Sequence, residues 1–190
     1  MHITSEVVRE LEARWGVPDT AELRFQMGER EWDLILHAAR RQRSHDVTLF
    51  IPRGDELAVI QKPGYPPGVW RVPSGGVMRD EKFEEGAARE AWEETGLSAE
   101  LMRYVLRARV EFTYGPDTLV WHTHAFEMSY LGGEPHPVDT KEISAARWAT
   151  LAELAGPVRE AMLRTGSGGL VYRARLQEIV APLLSMGTGV

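Results

Sequence analysis

Residues 75–97 read Gly75-Gly76-Val77-Met78-Arg79-Asp80-Glu81-Lys82-Phe83-Glu84-Glu85-Gly86-Ala87-Ala88-Arg89-Glu90-Ala91-Trp92-Glu93-Glu94-Thr95-Gly96-Leu97. The pattern Phe83 to Thr95 predicts a helix, with Gly96 placed to cap its end in the left-handed conformation. From Arg79 to Glu94 seven acids face three bases, a local charge of −4 out of −6 for the whole chain. Glu90, Glu93 and Glu94 fall within an arc of roughly 100° on such a helix, so their charges repel. An acidic helix face is usually no more than a solvated one. Here the opposite side, Ala87, Ala88, Ala91 and Trp92, is small and apolar, and Gly86, costing about 1 kcal/mol relative to Ala inside a helix, predicts a close approach beside the acids. Hard divalent cations prefer carboxylate oxygen and would relieve that repulsion.

On both sides of this helix the patterning is β-rich. Val47–Ile51 and Leu57–Ile60, separated by Pro52-Arg-Gly-Asp55, predict a hairpin. Further strands are expected over Val69–Val72, Leu101–Tyr114 with an interruption, and Leu119–Tyr130. Toward the N-terminus, Ser5–Trp15 and Glu29–Arg41 carry apolar residues at helical spacing, Ser5 serving as N-cap of the first. The charged run Arg40–Asp46 marks a boundary. Beyond Arg147-Trp-Ala149, helices are expected at Leu151–Leu154, Pro157–Thr165 and Val171–Met186. Residues 1–45 thus read as a helical extension, 46–155 as the central unit that carries the acidic helix and 156–190 as C-terminal helices packed on it. Trp15 and Trp32 are expected in the core or at a contact with a second copy.

The 190 residues, 43% hydrophobic and 26% charged, suit a soluble globular protein with a sizeable core. A net charge of −6 argues against a general polyanion-binding surface, so no nucleic-acid partner is expected. With no cysteine there is no disulfide, thiolate metal site or cysteine nucleophile. The start of the chain lacks a signal-peptide core and no apolar run reaches membrane-spanning length, which predicts a cytoplasmic location and no membrane partner. Of the 22 basic residues 19 are Arg, a bias read as genome composition rather than phosphate recognition.

The spacing Gly75-x5-Glu81-x7-Arg89-Glu90-Ala91-x-Glu93-Glu94-x-Gly96-Leu97 resembles the complete signature of the Nudix hydrolases. Seven fixed identities coincide by chance on the order of once in 10⁸ positions. The resemblance implies an α/β fold, an α/β/α sandwich with a mixed sheet, carrying helical N- and C-terminal extensions here. It implies hydrolysis of a diphosphate linkage in a nucleoside diphosphate joined to another moiety, with Mg²⁺ or Mn²⁺ as cofactor. By position, Glu93 and Glu94 would be the main metal ligands, Glu90 a ligand or the base that activates water, Arg89 their partner, and Glu81 a stabiliser of the loop or a further ligand. Gly75, Gly76 and Gly96 would shape the loops. Met78 and Asp80 depart from the residues commonest at those positions.

Because the family places its base variably, Glu134, Asp139 and Glu142 are rivals to Glu90, each more ordinarily a solvated loop charge. Tyr65 and Trp70, in the rigid Lys62–Trp70 segment, are candidates for stacking on a nucleobase. Tyr114, 17 residues after Leu97, has a spacing resembling that of diadenosine polyphosphate hydrolases. The expected substrate is therefore a small-molecule nucleoside diphosphate derivative, with dinucleoside polyphosphates and ADP-ribose leading. A ligand-sensing module on the same fold is the alternative, against which the intact carboxylate set argues. An isoprenoid diphosphate isomerase, the remaining branch, would use a cysteine that is absent. His122 and His124, two apart on one strand, read as ordinary sheet-face residues. The apolar stripes of the two N-terminal helices need cover, from the core or from a second copy in a homodimer.

Overall fold

The computed structural model describes residues 3–41, 44–78 and 81–185. Arg79 and Asp80, part of the 40–46 charged run, and Met186 lie outside them. The two longest β-patterned runs form the backbone of the molecule. β6 (Ser98–Tyr114) and β7 (Asp117–Gly132) pair antiparallel across a turn at Gly115, whose φ of 55° suits glycine. The expected interruption of β6 takes the form of register shifts at Leu101/Arg103 and Tyr104/Leu106, and the strand itself continues. β1 (Asp19–Gln26) joins β6 in parallel, and β2 (His45–Phe50) joins β7 in parallel. With β5 (Ser74–Gly75) they make a mixed sheet in the order β1-β6-β7-β2-β5. A second sheet holds β3 (Pro52–Arg53), β4 (Glu56–Gln61) and β8 (Ala145–Thr150).

Helices cover both faces of the central sheet, giving the α/β/α sandwich. On one face α1 (Ser5–Trp15) and α3 (Phe83–Thr95) bury Leu11, Phe83, Ala87 and Ala91 against Val47, Leu49, Tyr104 and Phe126. On the other, α2 (Glu29–Arg40), α5 (Arg159–Arg164) and α6 (Gly168–Val180) enclose Phe50, Leu106, Val110 and Phe112 with Trp32, Met162 and Tyr172. At about 25 cal/mol per Å² of apolar area removed from water, these two cores dominate the stability. The stripes of α1 and α2 thus find their cover within the chain, through Val7, Val8 and Trp15 on one side and Trp32 and Ile35 on the other. They create no demand for a second copy.

Several sequence expectations need correction. Asp19–Gln26, read within a helical extension, is a strand, and its alternating half-buried Ala21, Leu23 and Phe25 show why. Val47–Ile51 and Leu57–Ile60 do not pair as one hairpin, because Pro52–Arg53 carries the chain from the first sheet into the second and pairs with Glu56–Leu57 itself. Of Val69–Val72 only Arg71 bridges to Ile60, and Val69 and Val72 are buried as core plugs. The first helix is capped by Thr4, whose hydroxyl accepts from the Val7 amide, rather than by Ser5. After β8 a short α4 (Leu151–Glu153) runs through a π-type turn at Leu154–Val158, distorted at Gly156 ahead of Pro157, directly into α5. α6 begins at Gly168, earlier than the expected Val171, because the Ser167 side chain accepts from the Leu170 amide.

One carboxylate fastens α6 to α2. Glu31, in the first turn of α2, accepts from the Gly28 amide and from the Gly169 amide at 2.9 Å each, from the Ser167 hydroxyl at 2.5 Å and from the Gly168 amide at 3.2 Å. The negative charge sits at two helix N-termini, where both dipoles favour it. Burial alone would raise its pKa, but the hydrogen bonds from Ser167, Gly28, Gly169 and Gly168 outweigh that and hold it below its ordinary value of 4.5. A depressed folded-state pKa contributes stability that is complete above the ordinary carboxylate range and fades as pH falls through the folded value. Glu31→Ala is therefore expected to lose about 1–3 kcal/mol at neutral pH, with the difference from the parent shrinking below about pH 4. Chemical denaturation of both proteins across that pH range checks this.

Candidate active site

Arg89, on the second turn of α3, is the hub of the signature. Its Nε and Nη2 donate to the two oxygens of Glu81 at 2.8 and 3.0 Å, and Nη2 also donates to the Gly76 carbonyl at 3.0 Å. Its Nη1 donates to Glu90 Oε1 at 2.9 Å and Glu93 Oε2 at 3.0 Å. All five N–H donors of the guanidinium are used, in a fork that a Lys ammonium could not reproduce. The guanidinium bonds hold the Glu81 carboxyl below its usual range even against burial. Burial moves Glu90 the other way, raising its pKa despite the contact with Arg89.

Glu94 is held separately. It is buried, accepts from the Ser74 amide at 2.7 Å, and pairs with the buried Arg71 at 3.3 Å. Arg71 also donates to the Val72 carbonyl and the Ser74 hydroxyl at 2.9 Å each, which leaves neither ion uncompensated. Arg71 lies in the expected strand Val69–Val72, but its part in the site emerges only once β5 is folded against α3.

Glycines make room for these carboxylates. A Cβ on Gly75 would lie 1.9 Å from a Glu90 oxygen, and one on Gly86 would lie 2.8 Å from Glu81 Oε2. The close approach expected at Gly86 is therefore that of Glu81. Gly96 ends α3 at φ 69°, as the sequence predicts, and Gly76 contributes both its amide, donating to Glu90, and its carbonyl. Thr95 adds a cap, its hydroxyl donating to the Ala91 carbonyl.

The cleft beside α3, of about 750 Å³, brings together Arg89, Glu90, Glu93 and Glu94 with Gly75, Gly76 and Met78 of the loop, and with Lys62, Asp139 and Glu142. Glu142 pairs with Lys62 at 3.3 Å, and the Asp139 amide donates to the Glu93 carbonyl at 2.9 Å. Glu134 is not in this cleft; it is exposed and lies 3.8 Å from Arg53. Tyr65 lines an adjoining apolar groove and accepts from Arg71 Nε at 3.4 Å. Trp70 does not line either cavity, its ring being covered by the Arg147 guanidinium at 4.7 Å. Tyr114 stacks on Trp32 at the far turn of the β6–β7 hairpin, with centroids 6.1 Å apart. Sequence reading missed Trp121 and Arg173, which line both spaces. Nothing marks Trp121 locally, and Arg173 sits on a helix beyond the signature.

His122 and His124 belong to a different place, stacked with His45 under α1. Burial pushes His124 down to about 3, so it stays neutral, with its Nδ1 2.5 Å from the Tyr104 hydroxyl. Among the described residues no three His, Asp or Glu side chains are arranged to hold a metal ion. Within the signature, Arg89 engages three of the carboxylates, Glu81, Glu90 and Glu93.

The family model of the NUDIX domain matches residues 40–168. That is more than half of the chain, which therefore belongs to the Nudix family. The NAD-capped RNA hydrolase NudC of Stutzerimonas stutzeri is 34% identical over 122 residues, covering 64% of this chain and 42% of its own length. The RNA pyrophosphohydrolase of Cereibacter sphaeroides is 34% identical over 107 residues, covering 49% of this chain and 66% of its own. The chain thus spans about two-fifths of the length of the NAD-capped RNA hydrolases it matches. Among solved structures, a MutT Nudix hydrolase from Burkholderia pseudomallei shares 26% identity with a TM-score of 0.44, over 57% of this chain and 83% of that one. No helix among the described residues is long and apolar enough to cross a membrane.

Replacing Arg89 by Lys keeps the charge and loses the fork. Because the hub is about one-fifth exposed, solvent screens part of the loss, and the variant is expected to lose about 2–4 kcal/mol in a denaturant melt.

Proposed function

We propose that the chain is a divalent-metal-dependent pyrophosphohydrolase that cleaves the diphosphate linkage of a nucleoside diphosphate derivative. The observation that carries this reading is the convergence on one cleft of Glu90, Glu93 and Glu94 with the cations Arg71, Lys62 and Arg89. The donor set suits Mg²⁺ or Mn²⁺, being hard carboxylate oxygen throughout. Glu93, with its side chain 39% exposed and, among the described residues, bonded only to Arg89, is the carboxylate most free to turn toward an ion; Glu90 and Glu94 are the other candidates, with Glu81 bracing the loop. When bound, the ion neutralises phosphate charge, aligns the linkage and lowers the pKa of bound water. The residues of the chain supply the rest. Arg71 and Lys62 offer positive charge for the phosphates, and Glu90, Asp139 or Glu142 takes the proton from the attacking water. Glu134, outside the cleft, has no part. The helices α1 and α6 belong to the same unit as residues 46–155, since they complete its two cores.

The relatives named as acting on NAD-capped RNA and on RNA widen the substrates to be tried beyond dinucleoside polyphosphates and ADP-ribose, against the expectation of no nucleic-acid partner.

Glu93→Gln is the cleanest test, because Glu94 also neutralises the buried Arg71 and its loss would confound site with fold. With Mg²⁺ and a panel of ADP-ribose, dinucleoside polyphosphates, NAD and NAD-capped RNA, the parent is expected to release phosphate-bearing products and chelation to abolish turnover. Glu93→Gln is expected to lower kcat/KM by about two orders of magnitude or more with an unchanged melting temperature. Equal rates in parent and variant would sink the assignment.

A further inference from the structure

Two cavities share a wall in the middle of the molecule. One is the carboxylate cleft. The other, a groove of about 590 Å³, is lined by Tyr65, Phe112, Trp121 and Tyr172 and is predominantly apolar. Asp46, Lys62, Arg71, Trp121 and Arg173 line both. Three of these five, Lys62, Arg71 and Arg173, are cations against the single carboxylate Asp46, so the boundary between the spaces carries net positive charge.

Arg173 stands on α6, beyond the segment the family model matches. Its guanidinium is set in place from below. Nη2 donates to Asp46 Oδ2 at 2.8 Å and Nη1 to Thr48 Oγ1 at 3.0 Å, while Cζ lies 4.9 Å from the centroid of the Tyr172 ring. Asp46 is itself fixed, since its Oδ1 accepts from the Thr123 hydroxyl at 2.6 Å, and that hydroxyl also meets the Tyr172 hydroxyl. The Arg173 side chain keeps 19% of its surface open, and among the described residues its Nε–H has no acceptor. A planar cation held by two partners, with donors unused and a predominantly apolar, aromatic-lined groove on one side, suits an anion attached to a planar group. Holding α6 to β2 would require neither the open surface nor a place on both cavities.

We propose that Arg173 binds the phosphate next to the base-bearing end of the substrate, while the planar base lies in the groove against Tyr65 and Trp121. This makes α6 and Trp121 determinants of substrate choice, and it rests on the diphosphate-hydrolysis reading for the placement of the remaining phosphate in the acidic cleft. The occupant follows from charge and continuity. The groove opens from the cleft through cations and offers aromatic faces, which suit a nucleobase carrying phosphate.

The test is equilibrium binding by calorimetry, in Mg²⁺, of nucleoside monophosphates and of ribose 5-phosphate to the full chain. Monophosphates contain no diphosphate to cleave, so the result stands whether or not any diphosphate is turned over. Arg173→Gln is expected to weaken both probes by about tenfold or more, and Arg173→Lys by less, because charge remains while the fork is lost. Trp121→Ala is expected to weaken the nucleoside monophosphate by about tenfold and to leave ribose 5-phosphate unchanged. Should Arg173→Gln fail to fold, Arg173→Lys and Trp121→Ala carry the test. Nucleoside monophosphate affinity within twofold of the parent in the folded Arg173 variants, or no saturable binding to the parent, overturns the proposal. Turnover of diphosphates with KM unchanged in Arg173→Gln would overturn it alone and leave the hydrolase reading intact.

Discussion

One guanidinium makes the site possible. Four carboxylates from Glu81 to Glu94 crowd one side of α3 and its preceding loop, and unbalanced charges at such spacing would push the loop away from the helix. Arg89 answers three of them and the Gly76 carbonyl with its five donors, so that loop and helix become one rigid piece. The fourth, Glu94, is carried inward to Arg71 and ties α3 to β5. Two cations of fixed geometry thus bind Glu81, Glu90 and Glu94 into the frame and leave Glu93 partly exposed at the cleft.

The same division explains why the carboxylates are not gathered around a single point. Charge can be balanced by an internal guanidinium or by an external cation, and each carboxylate oxygen turned toward one is turned from the other. Glu93, bonded once and partly exposed, gives up least in changing partner; Glu94, desolvated beside Arg71, gives up most. Gly75 and Gly86 carry no Cβ to collide with Glu90 and Glu81, so the two acids can lie against their backbone.

Much of this was legible before folding. The helix Phe83–Thr95, its Gly96 cap and the long β6 and β7 runs follow from local pattern and short spacing, where neighbours in sequence are neighbours in space, while the partnership of Arg89 with the acids is implied by the family resemblance and its five-donor fork is not legible there. The misses share the opposite property. Val47–Ile51 and Leu57–Ile60 look like a hairpin because adjacent strands usually pair, and only the two-sheet arrangement assigns them to different layers. Tyr114 and Trp70 are aromatic residues near the right elements, yet Trp32 and Arg147 occupy their faces. Arg71, Trp121 and Arg173 reach the cleft from three separated parts of the chain, and no local signal reports that convergence. Asp19–Gln26 is a different failure, since its alternation was present and simply lay between two stronger helical patterns.

The central proposal is that the carboxylates of α3 hold a divalent cation at the cleft, with Glu93 the first to turn toward it. Anomalous diffraction from crystals grown with Mn²⁺ tests it most directly. The account predicts a peak in the cleft between α3 and residues 74–78, coordinated by oxygens of Glu93 and of Glu90 or Glu94, with the Glu93 carboxylate turned from Arg89. An ion bound elsewhere, or a cleft without a peak at saturating Mn²⁺ and with the Arg89 contacts unchanged, would contradict it.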